Sequence, residues 1–227
     1  MSEWIKRRFY DLVRVTGCPT ASVLWSLRVR GQANVPRKGP VLVLSNHESF
    51  FDPLLIGLST TRRLTFLARE TLFKHPVFSK IISLLDAFPI DQQGLGRNGL
   101  RQTLDTLQTG RAVLVFPEGE RTWDGAFQPL KAGVSLLLSR FDCPILPVGI
   151  AGAFEAWPRT QAAPKVSPIL TTPRPGSISL SFGPVVRSSE IAKLSRPQQL
   201  EKIGELIKTE IARAEEIRRK PRSRNRS

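Results

Sequence analysis

Apolar residues in this chain come in short runs divided by Pro, Gly and charged positions. Two runs are unbroken: Val41-Leu42-Val43-Leu44-Ser45 and Ala112–Phe116. Runs of that length without alternation fit strands covered on both faces. Leu27–Gly31, Leu64–Ala68, Ala87–Ile90 and Pro144–Gly149 are further strand segments, and Ser177–Phe182 alternates as a half-buried strand does. Helical periods lie between them: Asp52–Leu58 with Pro53 in its first turn, Pro76–Leu85, Asn98–Gln108 ended by Gly110, Lys131–Phe141, and the long Pro197–Arg219. Asn34–Pro40 is a turn by its Pro and Gly content, and Trp157–Pro175 has no clear period and reads as a loop. The βα alternation predicts an α/β fold with a mostly parallel central sheet flanked by helices.

The start of the chain reads differently. Trp4–Thr16 puts Trp4, Ile5, Phe9, Leu12 and Val13 near one face of a helix, with most of the charges elsewhere. A basic amphipathic helix with aromatic residues can lie in a membrane interface. A helix packed on its own domain shows the same period, and the pattern leaves both open. Three divisions follow: 1–24, an amphipathic helical segment with possible membrane contact; 25–217, the main domain; and 218–227, a basic disordered tail. That tail can be a solubilising end or an electrostatic tether to an anionic surface.

With 227 residues, 41% of them hydrophobic, the chain suits one domain with a sizeable core. Charge changes the picture more. Thirty-four basic against 19 acidic residues give a formal net charge of +15, which points to a polyanionic partner: nucleic acid, anionic lipid or a phosphorylated substrate. No run reaches the ~18 apolar residues of a spanning helix. The first residues are interrupted by Lys6, Arg7, Arg8, Asp11 and Arg14, unlike a signal peptide. These features predict a peripheral protein at the cytoplasmic face of a membrane, without a transmembrane helix. Cys18 and Cys143 are too few for a disulfide framework and lack partners at metal spacing.

Candidate chemistry sits where the two unbroken strands end. The first delivers Asn46-His47-Glu48-Ser49-Phe50-Phe51-Asp52. If the following turn folds back, Asp52 can hold one ring nitrogen of His47 and leave the other free to take a proton. That is a base with its orienting group, and the nucleophile would then be a hydroxyl of the substrate. On spacing alone, a structural histidine fits equally well. The second strand delivers Phe116-Pro117-Glu118-Gly119-Glu120-Arg121. Arg121 offers a planar fork suited to phosphate, Gly119 permits close backbone approach, and Glu118 could hold Arg121 or hydrogen-bond a hydroxyl. A charged surface turn would look the same. Arg97, Lys131 and Arg69 are further phosphate candidates, and His75 reads as a turn or surface residue.

Taken together, these segments resemble the 1-acyl-glycerol-3-phosphate acyltransferase family. Residues 46–52 resemble its N-H-x-S-x-x-D block, with the His-x4-Asp spacing. Phe116–Thr122 resembles its F-P-E-G-T-R-S block, and Cys143-Pro144-Ile145-Leu146-Pro147-Val148 its V-P-I-V-P-V block. Gly31–Pro36 and Phe127–Gly133 also look like family segments, and the resemblance covers roughly residues 25 to 185 in the family's order. It implies a glycerol-3-phosphate acyltransferase-like fold and direct transfer of an acyl group from a thioester on coenzyme A or acyl carrier protein. His47 and Asp52 would be catalytic; Asn46, Ser49, Glu118, Gly119, Arg121, Arg97 and Lys131 would bind substrate. No cofactor or metal is implied. The partners would be the acyl thioester donor, a lysophospholipid acceptor and an anionic membrane surface, with no nucleic acid.

Two positions depart from the family pattern. Gln92 follows Ile90-Asp91 where Arg is common, and Glu120 stands where Thr is usual, so that its carboxylate would compete for Arg121. Both leave the acceptor open between 1-acyl-glycerol-3-phosphate and another lysolipid or polar-lipid hydroxyl. A basic nucleic-acid-binding protein and an inert lipid-binding relative are the readings from other classes. The first lacks a reader motif, and the second is opposed by the intact His47 and Asp52.

Overall fold

The computed structural model describes residues 3–74, 76–90, 96–161, 163–167 and 177–220. Its eight described strands are β1 (Arg28–Arg30), β2 (Val41–Ser45), β3 (Leu64–Arg69), β4 (Ala87–Ile90), β5 (Ala112–Val115), β6 (Pro144–Ala151), β7 (Ser179–Phe182) and β8 (Val186–Arg187). They form one sheet in the order β1-β7-β6-β2-β5-β3-β4, with β8 also on β6. Pairings within β6-β2-β5-β3-β4 are parallel, and β7 and β8 join β6 antiparallel. The predicted mostly parallel α/β sheet is what the chain forms.

The helices are α1 (Glu3–Trp25), α2 (Asp52–Ser59), α3 (Pro76–Leu84), α4 (Arg97–Gln108), α5 (Gly133–Arg140), α6 (Ala153–Ala156), α7 (Ser188–Ala192) and α8 (Arg196–Arg219). Successive side chains of a strand point to opposite faces, and β2 divides accordingly. Val41 and Val43 pack into a cluster with Leu55 and Ile56 of α2 and Ala21 of α1. Leu42 and Leu44 pack into another with Leu107 of α4, Leu137 of α5 and Ile203 and Ile207 of α8. Both faces are covered, so every residue of β2 and β5 is buried and no polar alternation survives in their sequence. The central strands thus end at a rigid, dry edge.

Helix α8 crosses β6 at close range. A Cβ on Gly149 would lie 2.1 Å from the Glu210 carbonyl carbon, so the crossing requires glycine there. The same helix corrects one expectation. β7 is not half-buried: all four of its residues are buried, because Ser181 donates from Oγ to Glu210 Oε2 at 2.5 Å beneath α8. Both of its serines, Ser179 and Ser181, are closed off from solvent, and neither makes a solvated face.

Two boundaries at the chain ends also differ from expectation. Helix α1 does not stop before Pro19 but runs through it to Trp25. Proline removes one donor, to the carbonyl four residues earlier, and Val15 is 67% exposed, so water can take that place. At the other end, Arg218 and Arg219 belong to α8 rather than to a tail. Arg218 reaches Glu155 at 2.5 Å and Glu215 at 3.3 Å. Residues 221–227 lie outside the described residues. On α1, Tyr10 and Ala21 are buried, while Trp4, Ile5, Leu12, Val15 and Val23 are exposed. The apolar residues singled out in the sequence mostly face outward, and smaller groups make the packed face.

Candidate active site

Strand β2 runs parallel between β5 and β6, and its carboxyl end carries the site. Asn46 continues the ladder with its side chain. Its amide nitrogen donates to the Ile150 carbonyl at 3.0 Å, and its oxygen accepts the Ile150 N–H at 2.9 Å. The same nitrogen donates to Glu48 Oε1 at 3.2 Å. Asn46 is buried, and this side chain pins the loop to β6.

Past this pin the chain turns, and Asp52 folds back on it. Its Oδ2 accepts the Glu48 N–H at 2.5 Å and the Ser49 N–H at 2.7 Å, and lies 2.8 Å from His47 Nδ1. The carboxylate therefore caps the turn that opens α2 and faces the imidazole at once. Ser49 is fully buried and donates from Oγ to the Trp157 carbonyl at 2.8 Å, which fixes the same turn from outside. The His47 ring stacks on Phe116, with centroids 3.9 Å apart and planes 13° apart. It is 18% exposed while Asp52 is closed off from solvent. One edge of the imidazole is thus held inside and the other reaches the surface.

The second loop is bound to the first by Glu118. Its Oε1 accepts the His47 backbone N–H at 2.7 Å, and its Oε2 accepts the Gln128 N–H at 2.7 Å. The Thr122 N–H donates to the His47 carbonyl at 2.9 Å. The Glu118 carboxylate thus clamps the backbone of both segments. Burial pushes this carboxyl up to about 7, against the amides of Gln128 and His47 that pull it down. Burial likewise raises Glu48 to about 8, with Asp52 adding to the shift. Burial raises Asp52 as well, opposed by the Ser49 and Glu48 amides, the Arg121 charge and, once His47 is protonated, the imidazolium beside it. Three buried carboxyls with raised proton affinity around one histidine mark a dry, electrostatically tuned site.

Arg121 lies with its guanidinium carbon 3.4 Å from the Phe50 ring centroid. It is close enough to Asp52 to affect that carboxyl. Gly119 takes φ +79°, and a Cβ there would meet the Lys131 stem at 2.8 Å. Glycine is needed for both the backbone and the overlying side chain. Lys131 is exposed and crosses the loop at this point. Arg97 opens α4, exposed, and among the described residues no hydrogen bond or ion pair joins it to the His47 cluster. His75, Asp91 and Gln92 lie outside the described residues, as does the Arg69 side chain.

Glu120 has a second cation within reach. Its carboxylate faces Arg159 at 3.6 Å, and Arg159 also donates to the Arg121 carbonyl at 3.1 Å. The Arg159 guanidinium in turn lies 3.2 Å from the Trp123 ring centroid. Arg159 and Trp157 sit in the stretch read from sequence as loop, where lack of a period hid their roles. Phe116 and Phe50 were visible inside the motifs, but nothing in their spacing marks a ring as a shelf for histidine or arginine.

The mostly parallel sheet thus carries a histidine–carboxylate pair at the end of its central strand, with a stacked arginine beside it. A family model described as Acyltransferase matches residues 26–151, more than half of the chain, which therefore belongs to that family. A 1-acyl-sn-glycerol-3-phosphate acyltransferase of Streptococcus pneumoniae is 24% identical over 217 residues, covering 92% of this chain and 74% of that protein. A chloroplast enzyme of that name from Brassica napus is 26% identical over 57% of this chain and 38% of its own length. A probable one from Mycoplasma genitalium is 34% identical over 52% of this chain and 46% of its own length. The chain thus spans less than half of these last two relatives. The crystal structure of the acyltransferase PlsC from Thermotoga maritima shares the fold, with a TM-score of 0.75 and 23% identity over 95% of this chain and 82% of that one.

Proposed function

We propose that this protein moves an acyl group from an acyl thioester to a lysophospholipid hydroxyl, with 1-acyl-glycerol-3-phosphate as first acceptor. The observation that carries this reading is the His47 Nδ1–Asp52 Oδ2 contact of 2.8 Å, with the rest of the imidazole turned toward solvent. Family membership and the names of the relatives support it.

The chemistry follows from the geometry. The buried Asp52 carboxyl holds the Nδ1 proton, which leaves the lone pair on Nε2. Nε2 takes the proton of the acceptor hydroxyl as its oxygen attacks the thioester carbonyl. The tetrahedral intermediate collapses, the carbon–sulfur bond breaks, and the thiolate takes the proton back from the imidazolium. The products are an ester and a free thiol. Asp52 stabilises the imidazolium between the two proton transfers, and Phe116 keeps the ring from rotating. Arg121, stacked on Phe50, binds the acceptor phosphate with its guanidinium fork.

Gln92 and Glu120, the two departures from the family pattern, keep another lysolipid as the alternative acceptor. The exposed Trp4, Ile5, Leu12 and Val15 of α1, together with the net charge of +15, support a peripheral seat on an anionic membrane, at the cytoplasmic face. Among the described residues no helix is long and apolar enough to cross a membrane. The test is thiol release from acyl-CoA and acyl carrier protein across a panel of lysolipids. Turnover with 1-acyl-glycerol-3-phosphate at least ~10-fold above other acceptors supports the reading, a gap that one lost charge-assisted contact would open. Turnover only with a different lysolipid moves the acceptor, and none with any refutes the activity.

A further inference from the structure

A cavity of about 640 Å³ opens at the edge of the sheet opposite His47, between α1 and the starts of β3, β4 and β5. Arg62 and Arg63 precede β3, Asp86 precedes β4 and Arg111 precedes β5; Arg14 and Asp11 come from α1. The strands between this edge and the His47 loop are four to six residues long, a separation of about 15 Å. The two places therefore do not share a ligand group.

Charge and geometry together point to an anion. Four guanidinium groups and two carboxylates line the cavity, an excess of two positive charges. Asp86 is buried and shared: Arg63 reaches its Oδ2 at 2.9 Å and Arg111 at 3.0 Å. One carboxylate oxygen thus gathers two guanidiniums at one side of the cavity. Arg63 Nε and Nη2 and Asp86 Oδ2 are all buried and make no hydrogen bond among the described residues, so these contacts are ion pairs that leave donors over on Arg63. Arg62 is tied to the carbonyls of Pro36, Gly39 and Gly110 at 2.9, 2.8 and 3.2 Å, which makes it a fixed wall. Arg14 makes one long bond, 3.4 Å to the Thr60 carbonyl, and can turn toward a ligand.

We propose that this cavity is a second, non-catalytic binding site for a phosphate group. A phosphate dianion matches the two excess charges, and arginine forks match its oxygens. Because Arg14 lies on α1, occupancy would fasten that helix to the sheet edge. The phosphate can come from a soluble molecule or from the headgroup of an anionic lipid under α1.

The experiment measures inorganic phosphate binding to the full chain by calorimetry, and by the shift of its thermal midpoint at matched ionic strength in chloride. Arg14→Gln and Arg14→Gln/Arg111→Gln are compared with wild type and with Arg121→Gln. Losing one charge-assisted contact is expected to weaken phosphate about tenfold, and the double variant more. Arg121→Gln should retain the tight phase, since it lies at the other edge. Arg14→Gln removes only one long hydrogen bond, so it tests the site even if the double variant does not fold. A parallel arm floats the variants with phosphatidylcholine vesicles carrying phosphatidic acid. Loss of both phosphate and vesicle binding identifies a lipid headgroup, and loss of phosphate binding alone identifies a soluble ligand. Phosphate binding that is unchanged in Arg14→Gln, or that vanishes in Arg121→Gln instead, overturns the proposal.

Discussion

Asn46 stands next to His47, and its amide faces the backbone of Ile150. Replacing it with alanine removes both partners of a fully buried residue at once. An unsatisfied buried donor or acceptor costs about 1–3 kcal/mol, so the pair amounts to about 4 kcal/mol. For a domain of this size that is a fall of roughly 8–16 °C in thermal midpoint. The assay is urea or thermal denaturation of Asn46→Ala, with steady-state kinetics on the folded fraction. The account expects a large stability loss and a lower kcat from a loosened His47 loop, with little change in KM for the acceptor. A variant within ~1 kcal/mol of wild type but with a raised KM would show that Asn46 binds substrate and does not pin the loop, since removing pure binding contacts raises KM alone.

Other outcomes follow from the same geometry. Glu120→Thr should leave acceptor KM within about twofold and stability within ~1 kcal/mol, because the half-exposed pair with Arg159 is the type of ion pair that contributes little; a large gain in affinity would mean that Glu120 does restrain Arg121. Arg121→Lys should raise acceptor KM about tenfold, since an ammonium neither stacks flat on Phe50 nor offers a fork, and an unchanged KM would remove Arg121 from the phosphate site. Stability should depend on pH through Glu118, raised from 4.5 to about 7. Between those values the folded state holds a proton that the unfolded chain releases, so stability falls as pH rises through the window and levels off above it. The Glu118 share is at most about 3.4 kcal/mol, and Glu118→Gln should make the urea midpoint fall less steeply between pH 5 and 7, with the slope from Glu48 and Asp52 remaining; an equal slope in both proteins would place the titration elsewhere.

The sheet was legible because its central strands are covered on both faces, and such strands write themselves as unbroken apolar runs. Val41–Ser45 and Ala87–Ile90 have the bounds their runs suggested. The short elements were not legible. β8 has two residues and α6 four, too few for a period to show. β7 misled because serine reads as solvent-facing, and only a helix from far along the chain supplies its cover. In the site, the approach of Asp52 to His47 could be stated as a condition on a turn. What made it so, three donors converging on one carboxylate oxygen, is a matter of backbone direction that spacing does not carry. Glu118 and Asn46 stood out in the sequence by their place in the motifs, and the structure shows what each of them holds. Both are buried polar groups that hold backbone, and a sequence shows the polarity without the burial.

The central claim is that His47, held by Asp52, takes the proton from the acceptor hydroxyl. The most direct measurement is thiol release by His47→Ala with acyl thioester and 1-acyl-glycerol-3-phosphate, alongside circular dichroism to verify the fold. The ring is partly exposed and its neighbours are held by Asp52 and Glu118 through backbone, so the variant should fold. Turnover should drop by at least ~10³-fold, in the range of lost general-base catalysis. A folded His47→Ala protein with wild-type thiol release would contradict the account.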